Sequence, residues 1–415
     1  MNATLALPAV NFFMADVGGG LGPFLSTWLA EVAHWNPAQI GTVVAAGSLT
    51  GALCAGPAGA LVDRLGKPRM MLAVACAAIL AGTLVLLPAR AFWLVLMAQV
   101  VVAAGGALGA PSISGLTLAV VGKSGFPKQQ GTNEAANHAG NVVGAAAIAG
   151  LSWIIGPTAS VVVLGIMASA TLGTLWSMHA KDIDADRMRG RKALQKGERR
   201  GVTRDLFKSR RLWTVLAVIG LFQIGNSAML PLLGQRVVAD GNSNATSWMS
   251  GCVIVAQLTM VPVAMYAGRT ADHFGRRFLL MFACGVVIAR CAVAVFASGN
   301  YWLVPIEILD GICAATFSVA APVAIADLTY GTGRTQTAMG VMAMVQAGGA
   351  AVASIGWGFV TTKMGYPVAF GAMAVFPAAA ILLLFTIVLR DEAPQPDAAK
   401  AGEPGGNAAA IKAAA

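Results

Sequence analysis

Residues 59–69 read Gly59-Ala60-Leu61-Val62-Asp63-Arg64-Leu65-Gly66-Lys67-Pro68-Arg69, and residues 268–277 read Gly268-Arg269-Thr270-Ala271-Asp272-His273-Phe274-Gly275-Arg276-Arg277. Gly, Asp and Gly recur at the same internal spacing, 209 residues apart in a chain of 415. Each stretch closes a long apolar run and ends in basic residues. A weaker echo joins Pro111 to Pro322. A period of half the chain points to a duplicated architecture, and the runs around the two turns say which kind.

Hydrophobic residues make up 57% of the chain and charged residues 11%, with a mean hydropathy of +0.71. A soluble domain carries about 25% charge, so an ordinary soluble enzyme is excluded. The apolar residues fall into runs of roughly 20, the length that crosses a ~30 Å hydrocarbon core. Gly, Pro and charge punctuation divides them into twelve spans near 6–30, 37–62, 69–88, 92–121, 127–155, 158–178, 212–236, 247–267, 277–297, 301–327, 335–361 and 366–389. The first lacks the basic region and small-residue cleavage site of a signal peptide and is expected to remain in the protein. The six cysteines all lie within apolar runs and read as small core residues.

Charge orients the spans. Segment 181–211 holds 12 of the 28 Lys and Arg. Placing it inside also puts every other basic residue inside, except Arg90, Arg236 and Lys363 outside and Arg290 within a span. This positive-inside asymmetry predicts cytoplasmic N- and C-termini and accounts for most of the net charge of +10. Basic loops beside membrane helices hold orientation or touch anionic lipid, so no nucleic-acid partner is expected. The expected organisation is a six-helix bundle over 1–180, a basic linker over 181–211, a second six-helix bundle over 212–389, and a disordered tail over 390–415.

The Gly-x-x-x-Asp-(Arg)-x-Gly-(Arg/Lys) turn, present in both halves after the second span, resembles the signature loop of the major facilitator superfamily. The resemblance covers roughly residues 6–389. It implies an all-α membrane protein of twelve transmembrane helices in two pseudo-symmetric bundles, with one substrate cavity between them and alternating access by rocking. It also implies an inner-membrane location, a monomer, and a latch built on Gly59, Asp63, Arg64, Gly66, Gly268, Asp272 and Gly275. In physical terms, the glycines permit a tight turn and close helix approach. A carboxylate at a helix end can face the partial positive charge of a neighbouring helix N-terminus. Asp327, near the end of span 10, reads as a cap or latch partner of Arg334. Two departures from the family pattern stand out. The Arg often found in span 4 is absent, with Val101 four residues before Gly105. Span 5 keeps glycine spacing in Gly140-Asn141-Val142-Val143-Gly144 but lacks the Pro of many exporters.

A carboxylate at a helix centre costs about 2.5–3.5 kcal/mol on insertion scales, so intramembrane charges are candidate sites. Asp16 lies mid-span in span 1. Glu134 and His138 lie one turn apart in span 5, and at 100° per residue Glu134, Asn137, His138 and Asn141 form one stripe. A His titrates near neutrality, so the pair could share or pass a proton. Asp16, Glu134 and His138 are the expected proton-coupling residues. Asn137, Asn141, Gln223, Asn226, Gln257 and Gln346 are the expected substrate contacts, with interhelical hydrogen bonding as the rival use of such amides. The resemblance places spans 1 and 5 side by side. Arg290 in span 9 with Glu307 and Asp310 in span 10 forms a second charged cluster, either an ion pair tying the two spans or a second coupling site.

Gly122-Lys123-Ser124 imitates the end of a phosphate loop, but Thr117 stands where a Gly is required, so no nucleotide motor is encoded. No His-Glu-x-x-His occurs, and no cofactor, metal site or enzymatic activity is expected. The function expected is a secondary active transporter of a small organic solute, coupled to protons, with export slightly favoured. The alternative is uptake of a polar or anionic metabolite. A non-transporting sensor or assembly factor is the alternative from another class.

Overall fold

The computed structural model describes residues 3–17, 29, 35, 37–86, 91–189, 209–239, 245–297 and 299–385. Among these the chain is built from helices: α1 (Ala3–Val17), α2 (Pro37–Leu65), α3 (Pro68–Leu86), α4 (Phe92–Ile155), α5 (Ala159–Ser177), α6 (Ala185–Met188), α7 (Arg210–Asn226), α8 (Met229–Ala239), α9 (Ala245–Phe274), α10 (Arg276–Phe296), α11 (Leu303–Thr329), α12 (Thr335–Met364), α13 (Tyr366–Met373) and α14 (Val375–Phe385), with short 3-10 turns between some of them.

Ten stretches among the described residues are long and apolar enough to cross a membrane. One is α4, whose 64 residues are interrupted at Gly122 (φ 68°, ψ −175°). It therefore holds two expected spans, 92–121 and 127–155, the second beginning earlier than expected, directly after Gly122. Another runs through α7 and α8, Arg210–Val237, with its break after Asn226. With α1 as the described part of the first span, the elements correspond to the twelve expected. The protein is a multi-pass, all-helical membrane protein. The expected tail, 390–415, lies outside the described residues, as does 190–208 of the linker.

The outer surface fits that solvent. Trp153 is 92% exposed and Trp176 84%, and Ile154, Phe296, Phe359 and Leu382 are also exposed. Trp93, Trp153, Trp176 and Trp213 stand at span ends, where amphipathic rings settle at the headgroup level.

The two repeated turns solve the same backbone problem. Gly66 (φ 66°) ends α2 and Gly275 (φ 81°) ends α9, each donating its N–H back to the last turn, to Val62 and Ala271. The left-handed conformation excludes a Cβ cheaply only for Gly. The first glycine of each turn instead meets a neighbour. A Cβ on Gly59 would strike the Gln336 carbonyl of α12, and one on Gly268 would lie 2.7 Å from the Gly131 Cα of α4.

These contacts set the architecture. Helices α1–α5 pack among themselves, with α4 at the centre, around a core that includes Leu7, Val10, Leu72, Ile79 and Leu164. Helices α7–α14 pack around Ile219, Phe222, Cys284, Phe317 and Phe370. The sets meet chiefly along two seams, α2 against α12 and α4 against α9.

Candidate functional site

The α4–α9 seam carries the expected stripe. Gln130 Nε2 donates to Glu134 Oε1 at 2.9 Å, and Ser318 of α11, whose hydroxyl donates to the Ala315 carbonyl at 3.1 Å, stands close to the same carboxyl. His138 Nε2 lies 3.9 Å from Glu134 Oε2. On its other edge, His138 Nδ1 lies 2.7 Å from Gln257 Oε1 of α9. With that oxygen accepting, Nδ1 carries the proton and Nε2 turns its lone pair toward Glu134, where it has no hydrogen-bond partner among the described residues. The gap just exceeds hydrogen-bond reach, about 2.6–3.2 Å, so a small rotation joins the two groups. The chain Gln130–Glu134–His138–Gln257 thus crosses from the first half of the sequence to the second. His138 is 12% and Glu134 22% exposed, enclosed but not sealed.

The other expected residues separate into three groups. Asn137 and Asn141 lie half-buried on the same stripe. Gln223 and Gln346 are half-buried on α7 and α12, and no side-chain hydrogen bond among the described residues joins them to Glu134 or His138. Asn226 belongs elsewhere. Its Oδ1 accepts from Arg290 Nη1 at 2.9 Å, and its Nδ2 faces Asp310 Oδ1 at 3.4 Å, so it is held inside the charged cluster rather than presented to a solute. Asn133, off the stripe, accepts from Gln129 and donates to Thr117, tying the two arms of α4 together. Asp16 falls on α1, but its side chain lies outside the described part of the structure. The helix itself lies beside the stripe, because a Cβ on Gly140 would meet the Phe12 carbonyl and the Ala15 side chain. Spans 1 and 5 are neighbours, as expected.

Arg290 is 1% exposed and Glu307 fully buried. The guanidinium pairs with Asp310 Oδ1 at 2.7 Å and Glu307 Oε1 at 3.2 Å, and its Nε donates to the Ile306 carbonyl at 3.2 Å. Together with Asn226, the cluster binds α7, α10 and α11. Glu307 Oε2 is buried without a partner among the described residues.

At the α2–α12 seam, Asp63 is 2% exposed. Its Oδ1 accepts from the Gln336 N–H at 3.2 Å, and its Oδ2 from the Thr337 N–H at 2.6 Å and the Thr337 hydroxyl at 2.7 Å. These are first-turn amides of α12, left without intrahelical partners. The Arg334 charge acts on the same carboxylate. The repeat turn behaves differently. Asp272 is 51% exposed and pairs with Arg276 at 2.7 Å. Asp327 pairs with Arg276 at 2.7 Å and Lys123 at 3.7 Å, not with the expected Arg334, because α10 brings Arg276 over the end of α11.

Sequence reasoning passed over Gln130, Ser318, Gln336 and Thr337. Gln130 stands four residues before Glu134, a spacing that would have found it. The others act across helices and leave no local signal.

A family model described as the Major Facilitator Superfamily matches residues 9–289 and 224–414. Two proteins of Mycobacterium tuberculosis, from strains CDC 1551 / Oshkosh and ATCC 25618 / H37Rv, each described as an uncharacterized MFS-type transporter, are 33% identical over 381 residues, 91% of this chain and 91% of theirs. Among solved structures, a variant of the E. coli fucose:proton symporter FucP superposes with a TM-score of 0.68 at 14% identity, covering 93% of this chain and 99% of that one. The proton:xylose symporter XylE bound to 6-bromo-6-deoxy-D-glucose gives 0.70 at 13%, covering 93% and 95%. At such identities the likeness is one of fold. The family match and the relatives carry the rest: this chain belongs to the major facilitator superfamily and is a membrane transporter, not an enzyme.

Proposed function

We propose that the chain is a proton-coupled secondary transporter of a small organic solute, working by alternating access between bundles 1–180 and 212–389. The observation that carries the reading is the Glu134–His138–Gln257 junction. It sets two groups able to exchange a proton on the seam that must part when the bundles rock. A proton moving between Glu134 and His138 changes the charge facing Gln257 and so changes how firmly the seam holds. Asp16, on the adjacent helix, is the third proton-coupling candidate. Asn137 and Asn141, half-buried on the same stripe, are the candidates to hydrogen-bond a solute, with Gln223 and Gln346 as candidates on the second bundle. The Asp63 seam and the Asp272–Arg276–Asp327 pairs form the latch at the face rich in basic residues. By the positive-inside asymmetry this is the cytoplasmic face of the inner membrane, with both termini on it. The solute cavity is then shut from the cytoplasm in this state.

The charge inventory narrows the solute. Arg290 is the only Lys or Arg in the interior of any expected span, and it is fully engaged. An anion entering between the bundles would lose hydration with no free Lys or Arg from the spans to receive it. This weighs against an anionic metabolite and favours a neutral or cationic solute. A sensor that no longer transports would have no need of an ionisable pair on one side of the moving seam with its imidazole bonded across it.

A thermal-shift panel of metabolites and drugs identifies a ligand, because binding the folded state raises its melting temperature. Flux of that ligand is then measured in proteoliposomes. Glu134→Gln is expected to abolish flux driven by a pH gradient while leaving ligand exchange partly intact. Unchanged gradient-driven flux would remove Glu134 from the mechanism.

A further inference from the structure

The segment after α5 has no part in the reading above, yet it is wedged into the α2–α12 seam. Because Gly122 leaves the helical path, the Ala119 carbonyl is freed from its intrahelical partner, and the Asp184 N–H takes it at 3.2 Å. The Asp184 carboxylate then caps α6 through the Asp186 and Arg187 N–H groups. That turn drives Met188, fully buried, between Val62, Met71 and Ala119. The next residue reaches back. Arg189 Nε donates to the Asp63 carbonyl at 2.6 Å, and Nη2 to the Arg64 carbonyl at 3.3 Å, so a cation closes the C-terminal end of α2. A Cβ on Gly66 would collide with that guanidinium. The backbone of the same two residues faces the other half: the Met188 carbonyl accepts from Gln336 Nε2 and the Arg189 carbonyl from the Thr335 hydroxyl, both at 3.2 Å.

We propose that Met188 and Arg189 are positioning residues of the gate at this seam. Arg189 fixes the helix end from which Asp63 reaches α12, and the carbonyls of the pair add two cross-seam acceptors beside it. The segment is covalently continuous with α5 and holds α2 and α4 through more bonds than it makes to α12. It therefore travels with the first bundle, and among the described residues opening breaks its bonds to Thr335 and Gln336. The connection between the bundles thus sets the balance between the closed and open states of this face, resting on the reading of the seam as a closed gate.

The test measures a distance by pulsed electron resonance between spin labels at Lys67 and His273. Both are exposed, one on each half, and attachment through a non-natural ketone side chain leaves the native cysteines alone. Removing one or two hydrogen bonds is expected to raise the ratio of long-distance to short-distance populations roughly 2- to 10-fold in Arg189→Ala. A smaller rise is expected in Thr335→Val, and an intermediate one in Arg189→Lys, which keeps the charge but not the two-point contact. Asp63→Ala is the reference for the gate itself. If Asp63→Ala lengthens the distance while Arg189→Ala and Thr335→Val superimpose on the parent, the positioning role is overturned, even where their melting temperatures fall. If Asp63→Ala also leaves the distribution unchanged, the seam is no gate and the role of Arg189 falls with it. Should Arg189→Ala not yield folded protein, Thr335→Val and Arg189→Lys decide.

Discussion

Arg290 satisfies Glu307, Asp310, Asn226 and the Ile306 carbonyl at once, from a site 1% exposed. Two carboxyls share one guanidinium, so removing the cation strands both in a dry interior. Breaking a buried pair from one side costs about 3–5 kcal/mol, whereas replacing all the partners by uncharged groups is often close to neutral. Arg290→Met is therefore expected to lower the melting temperature in detergent sharply, and Arg290→Met with Glu307→Gln and Asp310→Asn to recover most of it. If the triple variant folds well but no longer transports, the cluster has a working role beyond its packing. If it transports normally, the cluster is a structural tie. The same residues show the limit of reading amides from sequence. Asn226 and Asn137 look alike in the chain. One is taken by an arginine 64 residues away, and the other lies half-buried on the Glu134–His138 stripe. By contrast, Glu134 and His138 were legible because their relation is local, one turn of one helix, and Gln257 was legible only as an isolated amide.

At the scale of elements, the spans were readable because apolar runs and glycine punctuation are written along the chain. The turn glycines proved to have two separable duties, a left-handed helix end at Gly66 and Gly275 and a close approach at Gly59 and Gly268. The expected gap between 121 and 127 is where reading by runs fell short. Helix resumes at Lys123 directly after Gly122, since a single glycine off the helical path turns the chain without a polar loop. The close approaches carry a prediction. A Cβ at Gly131 would strike the Ala264 carbonyl and lie 2.7 Å from the Gly268 Cα, backbone atoms that cannot swing aside as a side chain can. Gly131→Val is expected to insert and fold, because its own helix tolerates Val, but to hold α4 and α9 apart. The Lys67–His273 distance then shifts to the long population and gradient-driven flux falls at least about fivefold, since an overpacked contact costs about 1–3 kcal/mol. Gly150, where a Cβ meets open space, serves as the control: Gly150→Val leaves both readouts unchanged.

Across the whole molecule the two halves repeat a sequence motif but not its contacts. A duplicated turn predicts two equivalent latches. Asp63 instead sits 2% exposed with three hydrogen bonds to the start of α12, while Asp272 is 51% exposed in an ion pair with Arg276. The difference lies in the partner helices. The first turn of α12 follows Arg334 and presents free N–H groups. The corresponding arm of α4 starts directly after Gly122, but Asp272 is held by Arg276 of its own turn and Lys123 is turned to Asp327. Losing a helix cap costs about 0.5–2 kcal/mol, whereas an exposed pair contributes about 0–1 kcal/mol. Hydrogen–deuterium exchange resolves the two cases peptide by peptide. In Asp63→Ala the amides at the start of α12 are expected to exchange roughly 2- to 30-fold faster, with the rise spreading along the α2–α12 seam as the face opens. In Asp272→Ala the start of the second α4 arm should exchange at the parent rate. Equal acceleration in both variants would mean that the two turns carry the closed state together, and that the asymmetry of their contacts has no energetic consequence.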